Sequence, residues 1–139
     1  SWPLRFDRLV QPVLDRHCAG CHTPSGPARS DQALARADLS PEKAYAALVS
    51  HGRPSLRDHV LTRYRQGRSE IGAGAAQTSV LLALVRGEKP HHGVRLDGDS
   101  LARLIAWMDT YAQLRGAYDE AQEASLMQLR ATSAGLLAP

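Results

Sequence analysis

Cys18-Ala19-Gly20-Cys21-His22, which closes the longer run Phe6-Asp7-Arg8-Leu9-Val10-Gln11-Pro12-Val13-Leu14-Asp15-Arg16-His17, decides how this chain is read. C-x-x-C-H is the attachment pattern of a covalently bound c-type haem. The spacing has a physical reason. Residues three apart on a helical turn lie on one face, so the thiols of Cys18 and Cys21 can reach the two vinyl groups of one porphyrin. His22 then points its imidazole beneath the iron as an axial ligand, and the small Ala19 and Gly20 let the macrocycle lie against the backbone. Two Cys and six His scattered over 139 positions give this pattern in roughly 1 case in 1,600 by counting on the motif. Rival readings of the pair lack support. A structural zinc site needs two further ligands at matching spacing, and there is no second Cys pair. A thioredoxin-type pair belongs in a βαβ context that this sequence lacks.

Working outward, Phe6, Leu9, Val10, Val13 and Leu14 keep a helical rhythm up to Cys18. Pro12 interrupts it, and because proline suits a first helical turn, a short helix is expected from Gln11-Pro12 into the Cys pair. Thr23 to Ala28 reads as a loop. Ser40-Pro41-Glu42 reads as a helix start, with Ser40 as cap and the helix running to about Val49, before Gly52. Arg53 to Ala76, with several Gly and five Arg, reads as irregular loop. Thr78 or Ser79 caps a helix over Val80 to Arg86 that Gly87 stops. Pro90-His91-His92-Gly93 is a turn. Asp97 or Asp99 caps the clearest helix, Ser100 to about Ala112, with its stripe of Leu101, Leu104, Ile105, Met108 and Ala112. Asp119 to Ala131 reads as a last helix. No strand, repeat or low-complexity tract is evident. The expected fold class is all-α, a compact cytochrome c-like helical domain wrapped around one covalently bound haem. Residues 1–118 would form that domain and 119–139 a partly helical tail.

Composition agrees with one domain. A length of 139 residues suits a single core. Apolar residues at 43% and a mean hydropathy of −0.32 fit a globular protein, and no run approaches the roughly 18 apolar residues of a membrane span. Aromatics are only 5%, so a bulky apolar cofactor would be useful packing material. The net charge of +3 comes from dispersed Arg residues rather than a basic face with stacking aromatics, so nucleic acid is not expected as a partner. With both cysteines in thioethers none remains for a disulfide. Haem c is normally assembled outside the cytoplasm, so a periplasmic or otherwise exported protein is expected. Ser1-Trp2-Pro3 leads into a polar stretch with no signal-peptide core, as in a chain whose signal is removed or a domain of a longer exported protein.

Candidates for the second axial ligand are His51, His59, His91, His92, Met108 and Met127. His17 is too near the attachment site to cross the haem and reads as a surface or packing residue. Met108 sits mid-stripe on a helix, where a Met is usually core, and Met127 lies in the tail. His51 and His59 sit in the Arg-rich stretch, which favours solvated or hydrogen-bonding roles. His91 and His92 follow a proline in a loop between helices, which can deliver a side chain to the distal face. Arg53, Arg57, Arg63, Arg65 and Arg68 could hold haem propionates or dock an acidic redox partner; for most, a solvated loop is the plainer reading. Trp107 and Tyr111 are expected near the haem edge or against the first helix, and Tyr118 as an anchor for the returning chain. No paired carboxylates suggest hydrolysis.

Three stretches carry a family resemblance: Phe6 to His22 (FDRLVQPVLDRHCAGCH), His91 to Leu96 (HHGVRL) and Leu104 to Tyr118 (LIAWMDTYAQLRGAY), with a looser match over Ile71 to Leu84. The chain resembles the C-terminal haem domain of proteins related to the hydrazine synthase alpha subunit, and planctomycete-type cytochrome c domains more broadly. The resemblance covers most of residues 1–118. It implies His91 as distal ligand, with His92 the runner-up, and hence a bis-histidine, six-coordinate, low-spin haem serving electron transfer to a redox partner or to other domains of a longer chain. Met108 stands where relatives tend to have Ile, which keeps it among the candidate ligands. Hydrazine-forming chemistry belongs to a separate haem and to partner subunits, so an electron carrier rather than an enzyme is implied. The alternative is a five-coordinate haem that binds or reduces peroxide or nitric oxide, which would require that neither His91 nor His92 reach the iron.

Overall fold

Proline chemistry shapes the first elements of the computed structural model, which describes residues 4–26, 37–67, 70, 72–89, 91–117 and 119–134. Helix α1 (Phe6–Leu9) closes at Val10, and α2 (Gln11–His17) starts afresh with Pro12 in its first turn. Pro12 has no N–H to give to the preceding turn, so the ladder breaks there and resumes. Gly26 packs so closely under the turn after α2 that a Cβ there would run into the Cys21 carbonyl.

The remaining elements are α3 (Ala44–Val49), α4 (Leu56–Arg65), a 3-10 turn (Ala76–Thr78), α5 (Val80–Val85), α6 (Gly98–Asp109) and α7 (Glu120–Ser133). No strand occurs among the described residues, so the all-α expectation holds. Two local readings need correction. Ser40 does not cap α3: its hydroxyl donates to Asp38 Oδ1 (2.7 Å), and residues 41–43 form turns before the helix begins at Ala44. The stretch read as loop from Arg53 contains α4. Ser55 caps it, accepting from the Asp58 N–H (3.1 Å) while its hydroxyl donates to Asp58 Oδ2 (2.8 Å). Leu56 and Val60, four apart, are the buried pair that holds this helix down.

The core is a single cluster centred on Phe6. Its ring meets Trp107 edge-on (5.3 Å, 63°) and Tyr45 likewise (5.4 Å, 77°), tying α1 to α6 and α3. Val10, Leu82, Leu104, Trp107 and Met108 complete the fully buried centre. The Phe6 N–H donates to the Leu114 carbonyl (2.8 Å), fastening the chain start to the segment after α6. Helix α6 ends earlier than Ala112. Tyr111 and Ala112 adopt left-handed conformations (φ 74° and 49°), and the Ala112 N–H reaches back to the Trp107 carbonyl (2.9 Å) in the manner of a Schellman ending. No described helix is long and apolar enough to cross a membrane.

Candidate functional site

Aliphatic side chains from several helices wall an open cleft, about 680 Å³ of empty space when the solvent at its mouth is counted in. Val13, Leu14 and Cys18 come from α2 and its cap; Ala47, Leu48 and His51 from α3 and its exit; Leu81, Leu84 and Val85 from α5; Leu104 from α6. Ala37, Leu39 and Leu96 close the sides, and His22 and His91 are the two histidines that complete it beside His51. The lining is of the kind that ligand pockets show, mainly apolar with a few placed polar groups.

His22 is fixed by the backbone beside it. Its Nδ1 lies 3.1 Å from the Ala37 carbonyl. A carbonyl only accepts, so Nδ1 carries the proton and Nε2 keeps its lone pair. The Leu39 N–H donates to the His22 carbonyl (2.8 Å), and the buried Gln11 side chain donates to the Leu39 carbonyl (3.3 Å). The 37–39 segment is thereby pinned to α2 and to His22 at once. This is how a metal-ligating histidine is oriented by its other ring nitrogen.

His91 faces His22. Their ring planes are 13° from parallel and their centroids 5.7 Å apart. A metal held between two imidazole nitrogens at about 2 Å each would space the centroids by about 6 Å. Burial above all, then the neighbouring His22, His92 and His51, holds the His91 pKa below the usual histidine value, favouring the neutral ring that can bind metal. The turn that presents it has both central residues at positive φ, His92 (48°) and Gly93 (74°), closed by the Val94 N–H donating to the His91 carbonyl (3.0 Å). His92 is consequently exposed and off the cleft, though its ring packs edge-on against His91 (6.1 Å, 69°).

Cys18 lines the cleft, and Cys21 is exposed after one further turn. Burial, with a smaller contribution from Cys21, pushes the Cys18 thiol up to about 11. Such a thiol is protonated at neutral pH and is not the reactive thiolate of a redox nucleophile. Among the described residues no group of three or more His, Cys, Asp or Glu is gathered as a metal cage. Two near-parallel imidazoles in an otherwise aliphatic cleft are a donor set that would suit the metal of an apolar macrocycle. The residues present would fit a haem, which Cys18 in the wall and the exposed Cys21 beside it would anchor and which His22 and His91 would ligate.

The other sequence candidates lie elsewhere. Met108 is fully buried in the core, off the cleft, and its sulfur accepts from the Ser79 hydroxyl (3.3 Å). Met127 is 62% exposed on α7. His59 bonds the Ala75 carbonyl (2.9 Å) and meets Thr78 (3.2 Å), a structural role. His51, for which the Arg-rich stretch favoured a solvated or hydrogen-bonding role, borders the cleft. Arg53, Arg57, Arg63 and Arg65 do not line the cleft, so the propionate role expected of one or two of them finds no support there; Arg68 and Tyr118 lie outside the described residues. Trp107 packs on Phe6 of α1 and donates from Nε1 to the Gln113 carbonyl (2.9 Å). Tyr111 instead meets Tyr64 of α4 edge-on (4.8 Å, 76°).

Sequence reasoning missed Asp109. It is 2% exposed and accepts from the Gly72 and Ala76 N–H groups (2.8 Å each), fixing the 72–76 loop from α6. No family model, curated protein or solved structure matches this chain.

Proposed function

We propose that the chain is a monohaem c-type cytochrome domain that transfers electrons. The observation that carries this reading is the pair of near-parallel imidazoles of His22 and His91, 5.7 Å apart in one aliphatic cleft that Cys18 also lines. In it Cys18 and Cys21 anchor the haem as thioethers, His22 and His91 supply both axial ligands, and residues 119–139 are an appended tail outside the 1–118 haem domain. The bound haem would supply a one-electron Fe(III)/Fe(II) couple.

The chain's own residues do the rest. The Ala37 carbonyl keeps the His22 Nδ1 proton in place and raises the donor strength of Nε2. With His91 in the cleft beside His22, a bound haem would have both ligand positions filled by this chain, which would favour electron transfer over ligand activation. Leu48, Leu81, Leu84 and Leu104 line the cleft and would exclude water from a haem bound there. Imidazole in place of a thioether sulfur lowers the potential relative to His/Met ligation. Thioether attachment implies an exported, periplasmic setting, with a redox protein or a neighbouring domain of a longer chain as partner.

Optical and EPR spectra of the purified holoprotein test the reading. Wild type is expected to be low-spin ferric, without the charge-transfer band of thioether ligation, and His91→Ala to become high-spin. A wild-type haem already high-spin and avid for carbon monoxide would overturn the bis-histidine assignment in favour of a five-coordinate, ligand-binding domain.

A further inference from the structure

A polar contact outside the cleft joins two of its walls. His17, the last residue of α2, directly precedes the cleft residue Cys18; Asp97 directly follows the cleft residue Leu96 and caps α6. The His17 Nε2 lies 3.1 Å from Asp97 Oδ2 and 3.2 Å from the Ser100 hydroxyl. Asp97 in turn accepts from the Ser100 N–H at Oδ1 and from its hydroxyl at Oδ2, both 2.9 Å. The Ser100 backbone and hydroxyl, followed by His17 and Arg16, hold the Asp97 carboxyl down to about 2, so it is an anion that only accepts, and the His17 Nε2–H must donate to it. Arg16 stands further off, 3.8 Å from the same oxygen.

The six-residue segment from His91 to Leu96 has α6 at its far end, and α6 is clasped to α2 through this contact. Between the His91 turn and Asp97 the backbone has no helical ladder of its own. Its position beside His22 is set by the turn at His92-Gly93, by Leu96 packed on the core, and by the clasp at Asp97.

We propose that His17 is a positioning residue that, through Asp97, holds the distal-ligand segment in register over His22. The proposal rests on the bis-histidine reading above. His17 touches neither ligand and acts through the frame that carries His91. Outer partners of metal ligands commonly change metal affinity by roughly tenfold or more when removed. The expected signature is thus a looser distal ligand rather than a lost haem.

The test uses the holoprotein with cyanide as probe, following its replacement of the distal ligand in His17→Ala, His17→Gln, Asp97→Asn and the His17→Ala/Asp97→Asn double variant. Asp97→Asn retains a capping side chain for α6, so the helix stays intact. Expected are about tenfold faster cyanide binding in His17→Ala, recovery in His17→Gln, whose side-chain N–H can reach Asp97, and a double variant no faster than the singles, as for residues acting as a unit. His17→Ala with a wild-type cyanide rate and only a lowered Tm would overturn the proposal and leave the contact a structural one. His91→Ala run alongside separates the two readings. If it leaves the wild-type spectrum and rate unchanged, the bis-histidine assignment itself fails and the positioning role with it.

Discussion

Helices α6 and α7 begin alike and end differently. Asp97 accepts from the Ser100 N–H (2.9 Å) and Asp119 from the Gln122 N–H (2.8 Å), and each helix carries acids in its first turn. Beyond the cap, α6 buries Ser100, Leu104, Trp107, Met108 and Asp109, whereas α7 buries nothing, and its Met127 and Leu129 are each 62% exposed. A cap and favourable first-turn charges are enough to start a helix. They do not give it a place in the fold. That takes an apolar stripe with somewhere to go, and the candidate cleft draws on α2, α3, α5 and α6 but not on α7.

Substitutions can sharpen or break this contrast. Trp107→Ala on α6 should have the largest effect, about 3–5 kcal/mol in urea unfolding, because it empties a fully buried site against Phe6. A loss below 1 kcal/mol would mean that α6 is not the keystone it looks. Asp109→Ala comes next, at about 1–3 kcal/mol, since the Gly72 and Ala76 N–H groups lose a buried acceptor. Faster hydrogen exchange at those two amides, with the rest of the chain unchanged, is the accompanying readout. Gly74→Ala should disturb the same contact, because a Cβ there would come within 2.7 Å of Asp109 Oδ1.

Acid tests the α6 cap. The Asp97 carboxyl titrates at about 2 when folded, against about 3.9 in an unfolded chain. A lowered folded pKa contributes stability that is complete above the unfolded value and is lost as pH falls through the folded one. The Tm difference between wild type and Asp97→Asn should therefore shrink as pH drops from about 4 to 2. A difference that stays constant over that range would show that the Asp97 carboxylate contributes nothing to the α6 cap. The smallest effect is expected for the double change Met127→Ser with Leu129→Ser, within about 0.5 kcal/mol, as at exposed sites generally; a large loss would show that α7 has a buried face after all.

The helices with a stripe or a clear cap were legible from sequence: α2, α5, α6 and α7 fall close to where spacing puts them. Helix α4 was not. Its arginines mask a burial pattern of only two residues, Leu56 and Val60, and the Ser55–Asp58 cap is a weak signal without a stripe behind it. Asp109 escaped for another reason. Its partners are 33 and 37 residues away along the chain, so no local pattern marks it. His91 and His92 are neighbours in a turn, where residues follow no period, and nothing in their spacing separates them.

The sequence by itself determined the helical class and the Cys18-Ala19-Gly20-Cys21-His22 motif, because both are written in short-range spacing: the motif is five consecutive residues, and 3.6-residue periodicity marks the apolar faces. Only the tertiary structure decided which histidine stands opposite His22. That depends on a turn with two positive φ values, on the Ala37 carbonyl that orients the ring, and on the anchoring of residues 91–96 to α6. Those relations join residues far apart in the chain, and they come into being only when the helices pack.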